Sequence, residues 1–200
     1  LQNPSLLAEL TGIDVVADFR SRDLAAGGQG APLVPAFHQA VFGGGAGALA
    51  VLNLGGISNL SVLPAPGTGS PVLGFDCGPG NALIDDVVLR STGARYDTDG
   101  AIARSGHADA GILSRWLSHP FFAKLPPKSL DRDAWDVKTI SNFPLPDAVA
   151  TLTDFTVAAI AQGASYFPEP VAALYITGGG RLNKSIMDGL RDRFKCAVEP

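Results

Sequence analysis

Cysteine is almost missing from this 200-residue chain. Cys77 and Cys196 stand far apart, which argues against a disulfide framework or a thiolate metal site and fits a reduced, cytoplasmic setting. Long hydrophobic runs are missing too. No stretch approaches the roughly 18–20 apolar residues that span a bilayer, so no membrane partner is expected. The opening Leu1-Gln2-Asn3-Pro4 has no basic flank or cleavage signature, and no secretory leader is read there. Basic clusters are lacking as well: 15 Lys and Arg lie scattered among 19 Asp and Glu, a net charge of −4 that points away from nucleic acid. His38, His107 and His119 have no ligand spacing. Asp97-Thr98-Asp99-Gly100 starts like a calcium loop, but Ala108 occupies the twelfth position, where an acid is needed. No metal site, Walker A motif or Rossmann fingerprint is read from the side chains.

What is present describes a folded protein: 46% hydrophobic residues and a mean hydropathy of +0.20. A helix is expected over Pro4 to Leu10, a buried strand over Ile13 to Phe19 and a short helix over Leu33 to Phe42. Gly43 to Gly47 then breaks the chain and marks a candidate domain boundary. Ala48 to Asn53 and Asn59 to Leu63 read as strands joined through Gly55-Gly56, and Val72 to Asp76 as a third. A helix follows from Asn81 to about Thr92, with Gly93 where a C′ glycine belongs. Gly111 to Leu117 reads as a short helix, and Phe121 to Leu145 as a Pro-rich surface excursion. A long helix from Asp147 to Tyr166, a strand from Ala172 to Thr177 and a last helix after Gly178-Gly179-Gly180 complete the order. Three strands and a helix, then helix, strand, helix, is the α/β layout of a ribonuclease H-like module with a mixed sheet and flanking helices. Two such modules facing a cleft make the actin/hexokinase architecture.

Four segments suggest chemistry. Gly55-Gly56 at a hairpin tip lets backbone N–H groups approach a phosphate, although an ordinary tight turn looks the same in isolation. Asp76 ends a strand ahead of Cys77-Gly78-Pro79-Gly80, at the mouth of an open sheet, where a carboxylate can act as a general base. The competing role, capping the next helix, falls better to Asn81. Gly178-Gly179-Gly180 between strand and helix offers bare backbone to a nucleotide, yet Gly43-Gly44-Gly45 warns that three glycines alone mean little. Arg20 and Arg22, in Ala17-Asp18-Phe19-Arg20-Ser21-Arg22-Asp23 ahead of a Gly-rich loop, suit a sugar and its carboxylate. A surface network of Arg and Asp would have the same composition.

Those segments, together with Pro126-Pro127-Lys128-Ser129 and Ala150 to Thr156, resemble the anhydro-N-acetylmuramic acid kinase family along nearly the whole chain and in the same order. The Ala17–Asp23 segment with its continuation to His38 is specific to that family; the glycine motifs are shared with other actin-fold kinases. The resemblance implies a two-domain, actin/hexokinase-type carbohydrate kinase of the bacterial cytoplasm, a homodimer at full length. It would open the 1,6-anhydro ring of its amino sugar and phosphorylate O6 from ATP with Mg2+, in peptidoglycan recycling. On this reading Asp76 activates water, Gly55 and Gly56 face the phosphates, and Gly178, Gly179 and Gly180 face the adenosine. Arg20 and Arg22 serve the sugar. Residues 1–45 would be the remnant of the N-terminal domain and 46–200 a C-terminal ribonuclease H-like domain cut at its end. The family's first phosphate loop, rich in Gly, Thr and Ser, has no counterpart in these residues, and Cys77 stands where the family more often has Thr. Two other readings stay open: a kinase of another amino sugar, and a non-catalytic module that senses a sugar or nucleotide.

Overall fold

The computed structural model describes residues 3–131 and 134–200. Helix α1 (Pro4–Thr11) starts at Asn3, whose side chain accepts the Leu6 N–H, and ends on left-handed Gly12. The expected strand over Ile13 to Phe19 does not form. Ile13 and Val16 are 67% and 77% exposed, Asp18 turns the chain at φ 63°, and Phe19 already opens α2 (Phe19–Ala25). The β-branched run finds no strand to pair with among the described residues, and propensity alone does not make a strand. Helix α3 (Pro35–Phe42) has Pro at its first position and packs on the sheet through His38, whose Nδ1 lies 2.9 Å from the Ser61 hydroxyl.

The sheet follows. Strands β1 (Leu49–Leu54) and β2 (Ile57–Leu63) form the hairpin, and β3 (Leu73–Pro79) extends it, running three residues further than its sequence suggests. Helix α4 (Ala82–Thr92) closes on left-handed Gly93. Three short helices come next: α5 (Ala101–Arg104), α6 (Ala110–Leu117) and α7 (Pro120–Ala123). Helix α8 (Leu145–Gly163), strand β4 (Ala173–Thr177), helix α9 (Lys184–Arg193) and strand β5 (Ala197–Glu199) complete the chain. The spatial order is β3-β2-β1-β4-β5, with β1–β2 and β2–β3 antiparallel and β1–β4 and β4–β5 parallel. This is the ribonuclease H-like mixed sheet that the element order implies.

Alternation in β1 sends Ala50, Leu52 and Leu54 into the core, all fully buried. Helix α8 packs on the core face of the sheet against β3 and β2 and is buried nearly all round rather than along one stripe, because α4, α5, α6 and α9 also pack against it. Close approach needs small residues. A Cβ on Gly163 would press on Cys77 and Leu60, and one on Gly78 would lie 2.5 Å from the Ala159 Cβ. The segment from Phe121 to Leu145 is no surface excursion. Phe121, Phe122 and Trp135 stack with Trp116 and Phe155 in one buried aromatic cluster, and Ile140 is buried too. Prolines and charges around irregularly spaced aromatics conceal that core, and Arg132 and Asp133 lie outside the described residues.

Candidate active site

Because β1, β3 and β4 share one direction, their C-terminal ends share one edge of the sheet. The turn after each is glycine-bearing: Gly55-Gly56, Pro79-Gly80 and Gly178-Gly180. They interlock. The N–H groups of Gly80 and Asn81 donate to the carbonyls of Gly56 and Gly55 at 2.9 and 2.8 Å. The Thr156 hydroxyl, reaching over from α8, donates to the Gly80 carbonyl at 3.1 Å. Thus the amides leading into α4, and the Ala82 N–H that opens it, are spent on the hairpin tip. Asn81 does not cap the helix as expected; its side-chain amide donates to the Leu54 carbonyl instead.

The glycines of the edge divide into two kinds. Gly178 has φ 84°, and a Cβ on it would lie 2.6 Å from the Leu54 carbonyl oxygen; on Gly180 it would lie 2.3 Å from the Leu54 Cγ. These two are glycine for internal reasons. Gly179 has nothing within 4 Å, and a Cβ on Gly55 or Gly56 would make only ordinary contacts. The chain itself does not demand glycine at those three. Nor does the triple glycine run straight into a helix: a 3-10 turn (Gly179–Leu182) intervenes, and Asn183 caps α9 by accepting the Ile186 N–H. Beside the turn opens a cleft of about 280 Å³ lined by Asn81, Asp85, Tyr96, Asp99, Gly179 and Leu182. Tyr96 and Leu182 are exposed there; sequence reasoning passed over Tyr96 and placed Leu182 on the apolar face of the last helix, which starts only at Lys184.

Asp76 sits inside β3 and is 6% exposed. Its Oδ2 accepts the Leu130 N–H at 2.8 Å, and its own N–H donates to the Lys128 carbonyl at 2.9 Å. Burial raises its pKa above the usual aspartate value; the Leu130 bond and the positive charge of Arg20 act against that rise. Arg20, which contributes that charge, is exposed on α2. Arg22 is exposed two residues on, a spacing that turns it to another side of the helix, and no described contact ties its guanidinium to Asp76. On the same helix, the Asp23 Oδ2 accepts the Gly30 N–H at 2.7 Å and holds the Gly-rich loop closed.

Directly opposite Asp76 in the sheet stands Asn59, opposite that Asn53, and opposite that Thr177. Partners across a sheet face the same way, so these four form one polar row, while Leu52, Leu54, Leu60 and Phe75 point to the core. The polar and apolar alternation around Asn53 and Asn59 was the available signal for it.

Cys77, next in the chain, is the opposite case. Its thiol is fully buried, donates to the Ser58 carbonyl at 3.3 Å, and is pushed up to about 12 by burial. A neutral, enclosed thiol is a poor nucleophile. In the native protein near pH 8, iodoacetamide should label Cys196 well before Cys77, with both labelled after denaturation. Mass spectrometry of the two peptides checks this, and equal labelling would mean that the Cys77 side of β3 opens.

Comparison with known proteins follows the same lines. A family model described as Anhydro-N-acetylmuramic acid kinase matches residues 1–198. The curated protein of that name from Cupriavidus metallidurans is 53% identical over 195 residues, covering 93% of this chain and 51% of the relative. That of Variovorax paradoxus is 52% identical, covering 96% and 53%. The chain thus spans about half the length of the curated relatives it matches. A solved structure, the activator of the 2-hydroxyisocaproyl-CoA dehydratase from Clostridium difficile with bound ADPNP, aligns at a TM-score of 0.45 and 14% identity. It covers 76% of this chain and 53% of that one, a likeness too loose to argue from. The sheet order, the three glycine turns on one edge and the match over residues 1–198 agree, and this chain belongs to the anhydro-N-acetylmuramic acid kinase family.

Proposed function

We propose that the protein of which these residues form part is an ATP-dependent kinase acting on anhydro-N-acetylmuramic acid. The observation that carries the reading is the buried carboxylate of Asp76, on a strand that ends at the glycine-lined edge and within the field of Arg20. Asp76 would take a proton from water as its oxygen attacks the anomeric carbon. The bond from that carbon to O6 breaks, and O6 receives the γ-phosphoryl group of ATP. The products are N-acetylmuramic acid 6-phosphate and ADP. With Oδ2 engaged by Leu130, Oδ1 is the oxygen that accepts the proton. Gly55 and Gly56 would lie against the phosphates, and Gly178, Gly179 and Gly180 against the adenosine, with the cleft at Tyr96 and Leu182 beside them. Arg20 and Arg22 would face the sugar carboxylate. Residues 1–45 would belong to the first of two domains and 46–200 to the second, in a homodimeric cytoplasmic enzyme; no described helix is long and apolar enough to cross a membrane.

Mg2+ fits as a companion of the phosphates rather than as a caged ion. Among the described residues no group of three or more His, Cys, Asp or Glu could hold a metal, and magnesium normally keeps its waters and few protein ligands. It supplies charge neutralisation at the phosphates.

The test is ADP release by the full-length protein with ATP and the anhydro sugar, with the 6-phosphate identified by mass. ATP bound but not consumed in the sugar's presence would favour a sensing module; turnover with a different amino sugar alone would move the specificity. A finer check concerns Gly179. Because its Cβ position is open, Gly179→Val should leave the melting temperature nearly unchanged while raising the KM for ATP and sparing that for the sugar. A rise in the sugar KM alone would give this turn to the other substrate.

A further inference from the structure

Lys128 is 4% exposed, an unusual place for a lysine, since its ammonium must give up water. It lies in the Pro126–Leu130 segment, a strap that meets Asp76 twice. The Lys128 carbonyl accepts the Asp76 N–H, and two residues on, the Leu130 N–H donates to the Asp76 carboxylate. Between these contacts the Lys128 side chain turns inward. Its Nζ sits 4.7 Å from the centre of the Phe121 ring and 4.6 Å from that of Tyr166, and donates to the Phe121 carbonyl at 3.4 Å. Both rings are themselves fixed. Phe121 belongs to the aromatic cluster through Phe122 and Trp135, and Tyr166 packs edge-on against Phe75, the neighbour of Asp76. The Tyr166 hydroxyl also reaches the carbonyls of Phe122 and Lys124, closing the loop that carries the strap. A Met or Leu would fill this space without the desolvation that pushes the ammonium pKa down.

We propose that Lys128 is a positioning residue for Asp76: its ammonium, gripped between Phe121 and Tyr166, fixes the strap whose Leu130 amide orients the carboxylate. This rests on Asp76 being the general base. A Leu130 amide held in place favours the charged carboxylate and fixes which oxygen faces the water; a strap that drifts gives up both. The charge facing Asp76 from α2 is Arg20, and the Cys77 thiol beside it is neutral. Replacing Lys128 leaves Arg20 in place, and losing its positive charge only pushes the Cys77 thiol further up, so that thiol stays neutral and a shift in the pH dependence reports on the strap and its cation.

The experiment compares Lys128→Met and Lys128→Arg in the full-length enzyme by kcat across pH, both KM values and hydrogen exchange of residues 126–131. Lys128→Met should lower kcat by about 10- to 100-fold, the scale of a displaced reacting group. It should also move the acid limb of the profile to higher pH, speed exchange in the strap and leave the KM for ATP unchanged. Lys128→Arg, which keeps the charge, should recover part of the rate. A Lys128→Met enzyme that merely melts earlier, with wild-type kcat and acid limb, overturns the proposal and leaves Lys128 a structural residue. Should that variant not fold, Phe121→Leu, which removes one ring from the grip, takes the same measurements, and a wild-type kcat and acid limb in it overturn the proposal equally. Asp76→Asn separates the two readings. Normal turnover in it removes the base; loss of turnover in it beside a normal pH profile in the strap variants removes the positioning role alone.

Discussion

Asp76→Asn in the full-length enzyme is expected to fold, bind ATP and lose at least about 100-fold in kcat, the low end of what a general base contributes. Asn keeps the carbonyl oxygen that the Leu130 N–H needs, so the local structure is preserved while the proton acceptor is removed. The variant should also be at least as stable as the parent at neutral pH. Burial raises the folded-state pKa of Asp76 above its unfolded value, so the folded state holds this proton more tightly than the unfolded state. The stability this contributes is present below the unfolded pKa and is lost as pH rises through the folded one. At neutral pH the ionised carboxylate is therefore a cost that Asn does not carry. For the same reason the parent's rate should climb with pH through that raised pKa, since only the ionised form accepts a proton. Loss of turnover together with an unchanged or higher melting temperature is the expected pair. A variant that keeps its turnover would remove Asp76 from the chemistry, and one that loses turnover and stability together would point to a structural role.

The sheet was legible because its signals are local. Alternation in Leu49 to Leu54, two glycines between two strand-like runs, and Gly93 after a helical repeat each act over a few residues. Asp76 stood out in the sequence for a similar reason, a carboxylate among small residues where a strand was expected to end, although the strand runs on to Pro79. What stayed hidden depends on distant partners. The Ile13–Phe19 run has a strand's composition and no strand beside it among the described residues, and the Phe121–Leu145 region looks polar until Trp135 and Phe122 meet Phe155 from α8. Tyr96 and Leu182 lie far apart in sequence and share a cleft only because the turn after β4 lies beside the region after α4. The strap on Asp76 is the clearest case. Nothing in Pro126 to Leu130 announces that its backbone will bind Asp76, far back in the chain, at two points.

Gly80→Ala should destabilise the protein by about 2–4 kcal/mol, combining overpacking with the loss of two or three hydrogen bonds. The added Cβ would lie 2.1 Å from the Gly55 carbonyl oxygen and 3.1 Å from its carbon, which are backbone atoms that cannot rotate aside. Gly80 cannot retreat either. Its N–H is bound to the Gly56 carbonyl, its own carbonyl is bound by Thr156, and the next amide, Asn81, is bound to Gly55. Relief must come from pushing the hairpin tip away from α4, which breaks the contacts that set the tip's position. Stability and nucleotide binding should therefore fail together, with a lower denaturation midpoint and a higher KM for ATP. Gly55→Ala is the matched control. Its Cβ would meet Ile57 and Asn53 at 3.6 and 3.8 Å, ordinary contacts, so the fold should tolerate it. Any rise in the ATP KM in that variant would then come from the ligand side of the tip. If Gly80→Ala melts like the parent and binds ATP normally, the interlocked turns do not hold the hairpin where the proposed phosphate contact needs it.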